Sequence, residues 1–95
     1  MPMSPEFKQR LFPIAQEVAA HYGTPFHIYD EAGIRATGAA LKQAFAGIDG
    51  FREYYAVKAL PNPRILALMK DMGFGFDCSS IPELVMSRRI GARGE

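Results

Sequence analysis

A single cysteine, Cys78, leaves the sequence no internal disulfide to close. That excludes disulfide-stapled secreted scaffolds and points to a reducing, cytoplasmic setting. Histidine is nearly as scarce, and His21 with His27 gives no cluster of metal ligands. No window approaches the ~20 apolar residues of a membrane-spanning helix, and the stretch from Met1 to Arg10 lacks the apolar run of a signal peptide. Secretion and membrane insertion are therefore not expected. Nor does one sign of charge dominate. The 11 basic and 10 acidic residues leave a net charge of +1 and are mixed along the chain, which provides no electrostatic footprint for nucleic acid or an anionic membrane. Repeats and low-complexity tracts are also lacking.

What is there is ordinary for a globular protein. The hydrophobic fraction is 48% and the charged fraction 22%, which argues against disorder. At 95 residues the chain is one small domain at most, with limited capacity to bury a core. Residues 1–12 read as a lead-in, with a short helical turn at Ser4-Pro5 that Pro13 interrupts. Residues 13–95 read as the domain.

Within it, Pro13 opens a helix to about Tyr22, with Ile14, Ala15, Val18 and Ala19 as its apolar stripe and Gly23 as its stop. His21 falls in the last turn, where a cation or a carbonyl-capping side chain is favourable. Phe26-His27-Ile28-Tyr29 alternates as a strand. Asp30 is a natural N-cap for a helix to about Phe45, whose buried stripe is Ile34, Leu41, Phe45 and the alanines. Gly47 to Gly50 is a loop. Tyr54-Tyr55-Ala56-Val57 is aromatic and β-branched, as a strand requires, and Pro61-Asn62-Pro63 stops it. Asn62 and Pro63 cap and start a helix carrying Ile65, Leu66, Leu68, Met69 and Met72, ended by Gly73. Phe74 to Cys78 is a strand with Gly75 and Asp77 on its small, acidic face. Ser80 and Glu83 have capping-box spacing before a final helix to Ile90.

Strand, helix, strand, helix, strand, helix is the order of an α/β fold with parallel strands and right-handed crossovers. Three strands cannot close a barrel, and a (β/α)8 barrel takes roughly 250 residues. If this is barrel sequence, it holds only the opening βα units.

Side chains at the carboxyl ends of parallel strands point into the cleft where ligands bind. Alternation sends Tyr54, Ala56 and Lys58 to one face, with Lys58 at the carboxyl end and Asp77 one strand over. A lysine facing a low-dielectric interior has its ammonium form disfavoured, which frees an amine for Schiff-base chemistry. Ala56 leaves room for a flat ring. Asp77 is placed to pair with the lysine or to orient another polar group, although a plain ion pair has the same sequence signature. Gly73 and Gly75 read as a helix stop and a strand position with little space rather than as a phosphate loop.

Tyr55-Ala56-Val57-Lys58-Ala59, Pro61-Asn62-Pro63, and Gly75-Phe76-Asp77-Cys78-Ser79-Ser80 with Glu83-Leu84 resemble the opening of the barrel-type pyridoxal-phosphate amino-acid decarboxylases. Tyr22 to Asp30 is similar to that family's entry, so the likeness covers residues 13–95. The branch acting on meso-diaminopimelate is the nearest. The resemblance implies an alanine-racemase-like (β/α)8 barrel, incomplete in this chain, and pyridoxal 5'-phosphate as cofactor. It implies Lys58 as the Schiff-base lysine, with Ala56 and Asp77 near the cofactor, and the conversion of meso-diaminopimelate to L-lysine and CO2. Ornithine-type or carboxynorspermidine-type substrates, or a non-catalytic cofactor-binding module, are the alternatives. Glu83 matches a family glutamate, although its capping role suffices to explain it. The family's phosphate-binding glycines and its late catalytic cysteine lie beyond such a stretch, so Cys78 is not that cysteine and the 95-residue chain alone is expected to be inactive. An open parallel sheet leaves edges and apolar faces uncovered, so self-association, a homo-oligomer such as a dimer, is expected.

Overall fold

The helix ends follow the capping chemistry written in the sequence, and they delimit the elements of the computed structural model, which describes residues 3–94. The chain divides between Thr37 and Gly38 into two compact units. In the first, Ser4 Oγ accepts a bond from the Phe7 N–H at 3.1 Å and Pro5 occupies the first turn, so helix α1 spans Pro5–Leu11. The expected helical turn is thus a seven-residue helix. A 3₁₀ turn, Phe12–Ile14, follows, and α2, Ala15–Tyr22, ends at Gly23 with φ 77°. The expected helix from Pro13 therefore begins as a tighter turn, because proline has no N–H to donate there. Ala15, Val18 and Ala19 are half-buried while Ile14 is exposed, and neither helix buries a residue fully.

Phe26–Tyr29 is not a strand. Its alternation survives locally, since the His27 and Tyr29 rings lie parallel with centroids 6.4 Å apart, but a strand also needs a bonded neighbour. The one ladder among the described residues lies in the other unit. Asp30 does cap helix α3, Glu31–Ala44: its Oδ1 accepts from the Gly33 N–H at 3.1 Å and pairs with Arg10 at 2.5 Å. The Gly33 bond, aided by Arg10, holds the Asp30 carboxyl below its ordinary range. Along α3, Ile34, Leu41 and Phe45 just past its end are half-buried and Gly38 is buried, whereas the alanines expected in that stripe are exposed.

The second unit holds the sheet. Strand β1, Tyr54–Ala56, runs into a 3₁₀ turn, Val57–Ala59. Asn62 Oδ1 accepts from the N–H groups of Arg64 at 2.9 Å and Ile65 at 3.4 Å, opening α4, Pro63–Asp71. Strand β2, Gly75–Asp77, then lies parallel to β1 with Tyr54 opposite Gly75, Tyr55 opposite Phe76 and Ala56 opposite Asp77. Helix α5, Ile81–Arg89, completes a β-α-β-α run. The core is Val57, Ile65, Leu66 and Leu68, with Val57 and Leu66 fully inaccessible. Gly38 permits α3 to pack here, because a Cβ on it would lie 2.7 Å from Met72 Sδ.

Both helices of this unit end alike. Gly73 donates to the Lys70 carbonyl and Phe74 to that of Met69, while Gly91 donates to Arg88 and Ala92 to Ser87, which is the Schellman pattern twice over. In each case a lysine from the preceding helix donates to the carbonyl just before the glycine: Lys42 to Met72 at 2.7 Å, Lys70 to Ile90 at 3.0 Å. A cation at the carbonyl end of a helix opposes the dipole's negative pole. The two glycines are legible in sequence as stops; the two lysines are not.

Candidate functional site

The carboxyl ends of β1 and β2 gather the residues the sequence singles out. Ala56 and Asp77 are ladder partners there, and in a parallel pair such partners share a face. Tyr54 and Gly75 are on the same face, as the tyrosine ring confirms by lying over the glycine: a Cβ on Gly75 would come within 2.6 Å of Tyr54 Cδ1. The opposite face carries Tyr55 and Phe76, and burial pushes the Tyr55 phenol up.

Lys58 is not a strand residue. Strand β1 stops at Ala56, and Lys58 is the middle of the 3₁₀ turn that follows. Alternation therefore does not set its direction. Val57 does, because that side chain is wholly buried in the core and the lysine next to it is left exposed. Exposure also means that the low-dielectric wall expected around the lysine is not built by residues 3–94. Asp77 is likewise exposed, and among the described residues no ion pair joins it to Lys58.

The carboxylate that feels Lys58 electrostatically is Glu83. Its Oε2 accepts the Ser79 N–H and its Oε1 the Ser80 hydroxyl, each at 2.8 Å. These bonds, and more weakly the Lys58 charge, hold its carboxyl below the ordinary range. The expected capping box is altered accordingly. Ser80 is the N-cap residue of α5, but its hydroxyl donates to Glu83 instead of accepting from the helix, and Glu83 reaches back one residue further, to Ser79. The spacing of serine and glutamate identified the pair; its nearness to Lys58 depends on which strands are adjacent, and no local pattern carries that.

Cys78 turns away from this end. Its Sγ lies 3.4 Å from the buried Ser87 Oγ of α5, beside a groove lined by Phe76, Leu84 and Arg88. A second groove, in the first unit, is lined by Phe7, Ile14, Ile28 and Tyr29. Lys58 lines neither. Among the described residues no group of His, Cys, Asp and Glu is placed to hold a metal ion.

The groups at the strand ends suit pyridoxal phosphate: Lys58 is an exposed primary amine outside any ion pair among the described residues, Glu83 lies within its electrostatic reach, and the strand pair below ends in Ala56, with no side chain past Cβ, and the Asp77 carboxylate.

Residues 31–95 match the family model described as "Pyridoxal-dependent decarboxylase, pyridoxal binding domain". The match takes in Ala56, Lys58, Asp77 and Glu83. Protein TabA of Pseudomonas amygdali pv. tabaci is 53% identical over the whole chain, covering 22% of its own length. The diaminopimelate decarboxylase of Deinococcus radiodurans is 36% identical over 84% of this chain and 20% of its own length. That of Bacteroides thetaiotaomicron is 38% identical over 72% and 18% respectively. The chain thus spans about a fifth of the curated relatives it matches. No solved structure matches it.

Proposed function

The chain belongs to the pyridoxal-dependent decarboxylase family, and from that membership we propose that it is the amino-terminal part of an amino-acid decarboxylase with Lys58 as the Schiff-base lysine. Meso-diaminopimelate is the proposed substrate, with L-lysine and CO2 as products. The observation that carries the reading is an exposed lysine in the turn after β1, in no ion pair among the described residues and inside the span that matches the pyridoxal-binding domain. The opening of a (β/α)8 barrel is the proposed architecture; the β1-α4-β2-α5 run supports it.

When bound, pyridoxal phosphate supplies an electron sink for the pair released as CO2 leaves. The chain's own residues serve that chemistry in distinct ways. Lys58 offers the amine that holds the cofactor. Ala56 leaves the adjoining face clear for a planar ring, and Asp77, its ladder partner, presents a carboxylate to the same space. Glu83, whose carboxyl Ser79 and Ser80 hold below its ordinary range, places a negative charge within electrostatic reach of Lys58. The cytoplasm is the proposed location, consistent with the free thiol of Cys78. A homo-oligomer is proposed from the exposed apolar row Ile81, Leu84 and Val85 on α5.

The substrate within the family is the finer part of this reading. Identity to TabA exceeds that to either diaminopimelate decarboxylase and extends over the whole chain, so the diaminopimelate decarboxylases alone do not fix the substrate, and an ornithine-type or carboxynorspermidine-type amino acid is the alternative that the family resemblance leaves. The full-length protein should bind pyridoxal phosphate, develop its visible absorbance and release CO2 from meso-diaminopimelate. Lys58→Ala should lose both the absorbance and the turnover. A Lys58→Ala protein that kept the absorbance would overturn the assignment, and CO2 released from ornithine alone would move the substrate. A full-length protein that bound the cofactor without turnover on any of these amino acids would make it a non-catalytic module.

A further inference from the structure

Helices α3, α4 and α5 each carry a cation in the last turn: Lys42, Lys70, and Arg88 with Arg89. The first two reach forward to the next helix. Lys42 donates to the Met72 carbonyl at the end of α4, and Lys70 to the Ile90 carbonyl at the end of α5. Each of those carbonyls precedes a glycine of positive φ, Gly73 at 79° and Gly91 at 77°. The amine also lies beside the glycine itself, since a Cβ on Gly73 would stand 3.3 Å from Lys42 Nζ and one on Gly91 3.0 Å from Lys70 Nζ. One side-chain link thus ties each helix to its successor.

Arg88 holds in α5 the place that Lys70 holds in α4. Gly73 donates its N–H to the Lys70 carbonyl at 2.8 Å, and Gly91 donates to the Arg88 carbonyl at 2.9 Å, so the two cations stand at the same step before the glycine. The Arg88 guanidinium is exposed, and among the described residues it makes no hydrogen bond or ion pair. Helix α5 is the last among the described residues. The relatives are far longer, because this chain spans about a fifth of their length.

We propose that Arg88 is the forward link to the next helix of the full-length protein, donating to the carbonyl just before the glycine that ends it. The partner this surface fits is thus the carboxyl end of a helix in the following βα unit. The inference rests on the reading of the chain as the opening of a (β/α)8 barrel, where the next helix lies beside α5 as α5 lies beside α4. Opposing the dipole of its own helix is the ordinary role of a last-turn cation. That role is equally open to Lys70, which nonetheless reaches the next helix. The guanidinium's planar fork of five donors suits it to the exposed carbonyls of a helix end.

Hydrogen exchange on the full-length protein and its variants tests the link, together with a crystal structure of the parent. Lys70→Gln is the reference: the Gly91 and Ala92 amides, which close the end of α5, should exchange about fivefold faster, the worth of one cation at a helix end. Arg88→Gln should leave those two amides protected and speed by about as much the amides that close the helix after α5. Arg88→Lys should behave like the parent, since lysine makes the same link twice in this fold. Faster exchange confined to Gly91 and Ala92 in Arg88→Gln overturns the proposal, because the arginine then serves only its own helix. Unchanged exchange at both helix ends overturns it as well. In the parent crystal structure the guanidinium should lie within about 3.2 Å of the carbonyl before the glycine, and this measurement decides alone should Arg88→Gln fail to fold. A structure with a third strand beside β2 and a helix beside α5, but with Arg88 turned elsewhere, defeats the link and leaves the barrel reading standing. One with no helix beside α5 after it in the chain defeats both.

Discussion

Phe26–Tyr29 and Tyr54–Ala56 carry the same local message and meet different fates. Both are short aromatic runs of alternating side chains, and both lead to an Asp or Asn cap and a helix. Only the second is a strand. The difference is what lies alongside. Tyr54–Ala56 is bonded to Gly75–Asp77, and the helix joining them packs Ile65, Leu66 and Leu68 into the core with Val57. Phe26–Tyr29 has no strand bonded to it among the described residues and is preceded by helices that bury nothing fully. A run of β-formers is a request for a partner, answered elsewhere in the chain or not at all.

The largest expected effect tests whether packing makes that difference. Leu66→Ala removes a wholly buried side chain and should cost about 2–5 kcal/mol, enough to unfold a unit of marginal stability. Ile28→Ala, at a position 36% exposed, should cost under about 1 kcal/mol. Urea denaturation of the two variants supplies the comparison. Equal losses would break it, by showing Ile28 to be packed as firmly as the core of the second unit.

The same contrast explains how much was legible. Caps and stops are chemistry within four residues, so Asp30, Asn62, Gly23, Gly73 and Gly91 could be read directly and hold in the structure. The core of α4 followed from helical spacing. Strand extent could not be read the same way. Alternation carried Tyr54 through Lys58 on paper, yet burying Val57 turns the backbone into a 3₁₀ helix after Ala56, and Lys58 owes its exposure to that turn. Gly75 announced a tight approach by being a glycine in a strand. Its neighbour is Tyr54, which only the register reveals. Of the candidate site, residue identities were legible and residue proximities were not.

A middle-sized effect sharpens the comparison by removing the caps that the two regions share. Asn62→Ala deprives Arg64 and Ile65 of their acceptor and should cost about 1 kcal/mol. The loss should spread to β1 and β2, because α4 joins them. Hydrogen exchange measures this: amides of Tyr54–Ala56 should lose protection in Asn62→Ala, while those of Phe26–Tyr29 should not change. A change confined to the first turn of α4 would show that the helix and the sheet are not one cooperative unit.

The smallest effect concerns the cap that the first region does possess. Asp30 is held below its ordinary range chiefly by the Gly33 N–H and next by Arg10. Because its folded value is the lower one, its contribution is present above the unfolded pKa and is lost as pH falls through the folded value. Acid should therefore release the Gly33 bond and the Arg10 pair together. Glu83, held low by Ser79 and Ser80, should release the start of α5 in the same direction. The buried contacts of Leu66 and Val57 do not titrate, so the second region should keep its ladder where the first loses its side-chain anchor at Asp30. Asp30→Asn separates charge from capping, since asparagine caps as well as aspartate but cannot be protonated in this range. In that variant the Gly33 amide should stay protected as pH falls, with the Arg10 attraction already gone. An Asp30→Asn chain whose Gly33 amide still lost protection in acid would place the acid-sensitive contact elsewhere in the first unit.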